Sequence, residues 1–346
     1  MSARADPAAP AQAPAALRFR LLNEHQRGFP LVDAPYAAVA QRLEVSEEAV
    51  LAVLARCLAD GTIARVGAVI APHSVGVSTL AALRVREDDL ERVAALVSAR
   101  REVSHNYARD GDPNLWFVLN AADPATLGQA MDEIERAAAS GPVLNFPLLE
   151  EYRIDLGFDM RGPAQASEQP AWRRAPCPLP LTLAERALLG ALESGLALTR
   201  HPYRELAAQA GMTGEQVVDT LRDWVQAGVI RRLGVIVRHR EMGYRANAMA
   251  VWDVPDGQVG AFGRALAACP GVTLCYRRER SLPDWPFNLY CMVHGREPGA
   301  VRSTLAGNAR ACALEGFPAR VLFGRTRFKQ QGARYFPEMQ HARPHA

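Results

Sequence analysis

The stretch VSHNYARDGDPNLWFVLN, Val103 to Asn120, holds three residues whose types and spacing could do chemistry: His105, Tyr107 and Arg109. In an extended strand, side chains alternate between faces, so these i, i+2 and i+4 positions share one face. An imidazole titrates near neutral pH and can hand over a proton. A phenol offers one hydrogen bond. A guanidinium grips a carboxylate with two parallel N–H bonds. Together they suit proton delivery to a carboxylated substrate. The alternative for His105 is a structural histidine bonded within a sheet. The second half of the chain carries a related stretch, TLCYRRERSLPDWPFNLYCMVHG, Thr273 to Gly295. It repeats the tyrosine and arginines as Tyr276, Arg277 and Arg278, but places Leu274 where the first stretch has His105. His294, near its end, could supply a second imidazole from a neighbouring strand.

More arginines surround these stretches in sequence. Arg65 lies in the first half and Arg231, Arg232, Arg238, His239 and Arg240 in the corresponding part of the second. Arg325, Arg327, Lys329 and Arg334 follow near the C-terminus. They interleave with Trp116, Trp285 and Phe287, which are aromatic candidates for ring stacking or for the core. Arginines beside aromatic faces suit a flat ligand with several carboxylates. The candidate catalytic residues are therefore His105, His294 and Tyr107. The candidate binding residues are Arg65, Arg109, Trp116, Arg231, Arg232, Arg238, His239, Tyr276, Arg277 and Arg278.

The elements that must position them come from a tandem duplication. Asp33 to Gly76 aligns without a gap on Arg200 to Gly243, matching Pro35 with Pro202, Tyr36 with Tyr203, Gly61 with Gly228, Arg65 with Arg232 and Gly67 with Gly234. Repeats of this length mark stacked or paired structural units. Each unit opens with a helical stretch, then a short helix such as Tyr36 to Leu43, then a longer helix with a capping start. The caps are Ser46 with Glu47 and Glu48, and Thr213 with Glu215. Gly61 and Gly228 end those helices. TIARVGAVI and VIRRLGVIV then read as β-hairpin wings, which makes each opening unit a winged helix-turn-helix. A βαββαβ, ferredoxin-like pattern follows in both halves. The predicted fold is α+β, with a leader at 1–17, winged units at 18–78 and 181–244, ferredoxin-like units at 79–160 and 245–335, a Pro-rich linker at 161–180 and a tail at 336–346.

Bulk properties narrow the function classes. The 346 residues are 49% hydrophobic and 22% charged, with a net charge of +3. That balance is too weak to indicate nucleic acid by itself. The would-be recognition helices carry Glu47, Glu48 and Asp60 against Arg56, and Glu215, Asp219 and Asp223 against Arg222. A net negative helix opposes a polyanion. The six cysteines, Cys57, Cys177, Cys269, Cys275, Cys291 and Cys312, form no C-x-x-C pair and read as reduced thiols in a cytoplasmic protein. No apolar run approaches the roughly 20 residues of a membrane span.

The order helix-turn-helix then α+β unit resembles the Lrp/AsnC regulators. The strings GTIARVGAV, VSHNYARD…NLWFVL, VIRRLGVIVRHREMGYRANAMAVWDVP and VTLCYRRERSLPDWPFNLYCMVHG more specifically resemble the siroheme decarboxylases. Repeat one is similar to their D-type subunits and repeat two to their L-type. The resemblance implies loss of the C12 and C18 acetate carboxyls of siroheme, giving 12,18-didecarboxysiroheme and CO2 for haem d1 synthesis in denitrifiers. It implies no required cofactor, with the iron brought by the substrate and met by His105. It implies partnership with paralogous subunits, or pairing of the two repeats within one chain or between copies, and neither DNA nor membrane as partner. It also implies a histidine at the His105 motif in both partners, and Leu274 departs from that. An Lrp-type regulator that senses a porphyrin or small molecule is the alternative function.

Overall fold

The computed structural model describes residues 14–154, 157 and 179–336. Residues 1–13, residues 161–178 of the linker with Cys177, the tail from 337 and the side chain of His239 lie outside the described residues. Repeat one runs α1 (Pro14–Glu24), α2 (Pro35–Leu43), α3 (Glu47–Ala59), β1 (Ile63–Ile70), β2 (Val77–Leu83), α4 (Leu90–Ala99), β3 (Val103–Arg109), β4 (Leu115–Ala121), α5 (Pro124–Ala138) and β5 (Leu144–Ile154). Repeat two runs α6 (Leu183–Glu193), α7 (Pro202–Ala210), α8 (Gly214–Gln226), β6 (Ile230–Val237), β7 (Ala246–Trp252), α9 (Val259–Ala267), β8 (Val272–Arg278), β9 (Leu289–Gly295), α10 (Pro298–Ala311) and β10 (Ala319–Gln330). The first helix already occupies the end of the stretch read as a leader.

Local chemistry accounts for the helix ends. Pro35 and Pro202 start α2 and α7, where the missing N–H would have been unpaired anyway. Ser46 accepts a hydrogen bond from the Ala49 amide at the start of α3. Thr213 caps α8 in a reciprocal box with Gln216, rather than with the neighbouring Glu215. Gly61 and Gly228 follow α3 and α8 with φ of 76° and 75°, a conformation open to glycine without strain.

The wings differ from the sequence expectation. Each repeat contributes one continuous strand and no hairpin. β1 and β6 pair antiparallel with each other, and Gly67 faces Gly234 at the centre of the register. The glycine inside each strand marks a close approach of backbone. The chain after α1 crosses β6, with the Val235 amide donating to the His25 carbonyl at 2.8 Å and the Phe29 amide to Leu233 at 3.1 Å. A Cβ on Gly234 would lie 2.5 Å from the His25 carbonyl oxygen and from the Gln26 backbone. Both helix-turn-helix units share one core, in which Leu21, Tyr36, Leu54, Leu189, Tyr203, Leu221 and Trp224 are buried.

The eight remaining strands close into a barrel in the order β10-β3-β4-β2-β5-β8-β9-β7. Within each repeat this is the ferredoxin-like order, and the two sheets are joined by β5 with β8 and by β10 with β3. The helices cover the outside. α4 and α5 pack on one sheet through Val93, Val97 and Ile134, and α9 and α10 on the other through Leu266, Val301 and Leu305. The inside holds an aromatic cluster of Trp116, Phe146, Trp285, Phe287 and Tyr290. Among the described residues no helix is long and apolar enough to cross a membrane.

Gly234→Ala should destabilise the chain by about 1–3 kcal/mol, the usual cost of overpacking, because backbone rather than a flexible side chain blocks the new methyl. Urea denaturation followed by circular dichroism would measure it.

Candidate functional site

β3 presents the predicted triplet on the inner face of the barrel. A bulge between Val103 and His105 sets its phase. The alternate residue Asn106 turns outward and donates to the Ala94 carbonyl at 2.9 Å. The His105 and Tyr107 rings stack with centroids 6.2 Å apart. The Arg109 guanidinium lies 5.9 Å from the Tyr107 ring centre. Arg109 then reaches across the barrel seam into repeat two. It donates to the Leu322 carbonyl at 3.2 Å and to Asn247 Oδ1 at 3.4 Å, and it touches Met292 Sδ at 3.8 Å. Beside it stands His294, on β9. His105, Tyr107 and Arg109 thus run along one face of β3, and His294 from the other repeat lies within the field of Arg109 at the far end of that row.

Both rings are half-buried and tied by Nδ1 to a strand hydroxyl. His105 Nδ1 lies 3.0 Å from Ser104 Oγ, and His294 Nδ1 lies 2.8 Å from Thr273 Oγ1. Burial pushes both imidazoles down to about 4, helped by the charge of Arg65 at His105 and of Arg109 at His294. Both rings are therefore neutral at neutral pH.

Arg65 is held by the Ala68 carbonyl at 2.8 Å, and its Nε is buried with no acceptor among the described residues. With Arg238 and Arg334 it lines a cavity of about 280 Å³, which Glu193 and Gln330 also border. Gln330 is the β10 partner of His105, so this cavity lies on the Arg65 side of the histidine. A neighbouring depression of about 370 Å³ is lined by Arg101, Lys329 and Arg334.

The pseudo-equivalent position in the other half of the barrel carries neither imidazole. Strand pairing matches His105 with Leu274 and His294 with Asn120. Tyr276 and Arg278 remain there. Arg278 lies 4.8 Å over the Tyr276 ring and donates to the Phe146 carbonyl at 2.7 Å.

The other predicted residues are placed elsewhere. Trp116 is 1% exposed, stacks on Phe146 and donates to the Pro113 carbonyl, so it fills the barrel core. Arg231 forms a buried ion pair with Glu151. Arg232 is buried beside Gly157. Arg277 binds Asp256 at 2.9 Å on the helix-facing side of β8. The sequence reading missed Ser104, Thr273, Asn120, Asn247 and Glu193. A signal existed for the first two, since Ser104 and Thr273 stand in register with the aligned tyrosines.

Comparison with known proteins places this architecture in a class. An AsnC-like ligand binding domain matches residues 74–153 and 241–329, and a siroheme decarboxylase NirDL-like HTH domain matches 19–63 and 185–231. The fold is thus a doubled AsnC-like unit with both copies in one chain. The siroheme decarboxylase NirDL subunit of Paracoccus denitrificans is 42% identical over 92% of this chain and 96% of its own. The NirL subunit of Stutzerimonas stutzeri is 45% identical, covering 43% of this chain and 87% of its own. A crystal structure of the siroheme decarboxylase NirDL superposes with a TM-score of 0.67 at 25% identity, covering 93% of this chain and 95% of that one. The chain belongs to the siroheme decarboxylase family, in its fused two-repeat form, and the family's enzymes are carboxy-lyases.

The histidines make a pH prediction. A group whose folded value is depressed contributes stability above its unfolded value and loses it as pH falls. The substrate-free protein should lose stability as pH drops from about 6.5, the ordinary histidine value, towards 4. A His105→Gln, His294→Gln double variant should lose less over that window. Denaturation midpoints measured across it would decide.

Proposed function

We propose that this chain decarboxylates siroheme, removing the C12 and C18 acetate carboxyls to release CO2 and 12,18-didecarboxysiroheme, a precursor of haem d1. The observation that supports this is the row of His105, Tyr107 and Arg109 along one strand face, with the Arg65 charge acting on the first and His294 lying beside the last. Siroheme carries eight carboxylates. Arg65 and Arg238 stand at the cavity mouth, and Arg65 keeps a buried donor without an acceptor. Arg109 stands between the histidines. Such groups hold the carboxylates that stay.

Decarboxylation breaks the bond from the acetate methylene to its carboxyl carbon. The bonding pair remains on the methylene carbon, and a proton must fill that place. His105 is the donor. Burial keeps it neutral, helped by the charge of Arg65, and carboxylates arriving beside it raise its proton affinity. Substrate binding therefore charges the residue that the reaction needs. Tyr107 orients it by stacking and offers a phenol hydrogen bond to a carboxylate. The iron belongs to the substrate, and no added cofactor enters this scheme.

One imidazole-bearing site also makes the two losses sequential, since the acetates lie on different rings of the tetrapyrrole. Anaerobic incubation with siroheme, sampled by mass spectrometry, should show loss of one CO2 before loss of two. His105→Ala should slow turnover by about 10²–10⁴-fold, the usual share of a general acid. An unchanged porphyrin with the unaltered chain would overturn the assignment in favour of a carrier or sensor.

A further inference from the structure

The two histidines are bonded to hydroxyls at the same place in each repeat, yet the hydroxyls' own protons go to different acceptors. Thr273 Oγ1 donates to the Met292 carbonyl at 3.1 Å. Its proton could instead go to His294 Nδ1 at 2.8 Å, but the carbonyl is well within hydrogen-bond range, and donating there lets the same oxygen also accept from His294, so that both contacts are satisfied. Nδ1 of His294 therefore carries the hydrogen and Nε2 is a bare lone pair. Ser104 Oγ accepts from Asn120 Nδ2 at 2.7 Å. Its proton has two places to go, the Val118 carbonyl at 3.5 Å or His105 Nδ1 at 3.0 Å. The first is at the limit of a hydrogen bond and the second is well inside it. His105 thus accepts at Nδ1 and carries its hydrogen on Nε2. No hydrogen bond from a described residue reaches Nε2 of either ring.

We infer that Ser104 and Thr273 are positioning residues that hold the two imidazoles in opposite neutral tautomers, so that His105 presents an Nε2–H to the substrate and His294 a bare Nε2. The inference rests on the reading of these imidazoles as the site of siroheme decarboxylation. Its chemical consequence is a division of labour. A bare ring nitrogen, backed by an N–H donated to an oxygen on the far side of the ring, is the arrangement of a metal-ligating histidine. His294 rather than His105 then meets the siroheme iron, while the Nε2–H of His105 points to a carboxylate. Thr273 holds the ligand's far nitrogen without touching the substrate.

The test reads the tautomers before any substrate is added. In protein labelled with ¹⁵N-histidine, long-range ¹H–¹⁵N correlations near neutral pH distinguish the two forms, with peaks assigned by His105→Gln and His294→Gln. The expected result is an Nδ1–H pattern for His294 and an Nε2–H pattern for His105. Thr273→Val should convert His294 to Nε2–H, and Thr273→Ser, which keeps the hydroxyl, should not. Ser104→Ala, which removes the donor to Nδ1, should leave His105 mainly Nε2–H but admit the Nδ1–H form as a minor population that the unaltered chain lacks. The same tautomer in both rings, or a His294 pattern that ignores Thr273→Val, overturns the inference. Titration with ferric siroheme gives a second reading. The absorption shift of imidazole ligation should persist in His105→Gln, vanish in His294→Gln, and need about 10–100-fold more ligand in Thr273→Val. The reverse pattern between the two histidine variants overturns the iron assignment. These readouts do not depend on turnover, so a chain with the expected tautomers that releases no CO2 contradicts the proposed function and leaves this inference standing.

Discussion

The barrel closes only because the last strand of each repeat serves two sheets. Ala319–Phe323 of β10 pairs with β7 in its own repeat, and from Gly324 to Gln330 the same strand pairs with β3 of the other. β5 does the same in reverse, first against β2 and from Leu148 onward against β8. A sheet edge left open exposes a row of unpaired N–H and C=O groups. Separated repeats would each keep such edges at β3 or β8. The shared helix-turn-helix core and the β1–β6 pairing add a second layer of mutual dependence. The duplication therefore behaves as one folding unit with an internal pseudo-twofold.

That closure also sets the electrostatics of the site. Arg109 crosses the seam to the Leu322 carbonyl on β10, and Arg278 crosses to the Phe146 carbonyl on β5. Burial works against the charge on both. Carbonyl oxygens and tyrosine faces compensate only in part, because neither arginine faces an anion in these contacts. Burial keeps both imidazoles neutral, and the positive fields of Arg109 at His294 and of Arg65 at His105 add to it. On the proposed reading, a ligand with many carboxylates would relieve the arginines and raise the proton affinity of His105, so affinity and readiness for proton transfer would share one origin.

Much of this was legible in the residues. The gapless alignment of Asp33–Gly76 on Arg200–Gly243 carried the duplication, and helix caps with strand alternation carried the element types. The shared face of His105, Tyr107 and Arg109 followed from period two alone. The wing was misread because a strand pairing with its own pseudo-dyad mate has the same local pattern as half a hairpin, and only tertiary structure supplies the partner. Trp116 and Arg277 were misjudged for a related reason. Composition marks a residue as able to stack or grip, but not whether Phe146 or Asp256 already occupies it. The correspondence of His294 with Asn120 was hidden by the different lengths of the β3–β4 and β8–β9 loops, which shift the register between the aligned tyrosines and the following strands.

That correspondence shows how the two pseudo-equivalent positions differ and how they are linked. At the second position Leu274 replaces the imidazole and packs against the aromatic cluster of the barrel interior. Asn120 replaces the other imidazole, and its amide donates to Ser104, the hydroxyl that holds His105. The residue that stands opposite His294 by pseudo-symmetry is thus part of the support for His105. The two halves of a symmetric barrel share the strands between them, so a change at one pseudo-equivalent position is felt at the other through a single hydrogen bond.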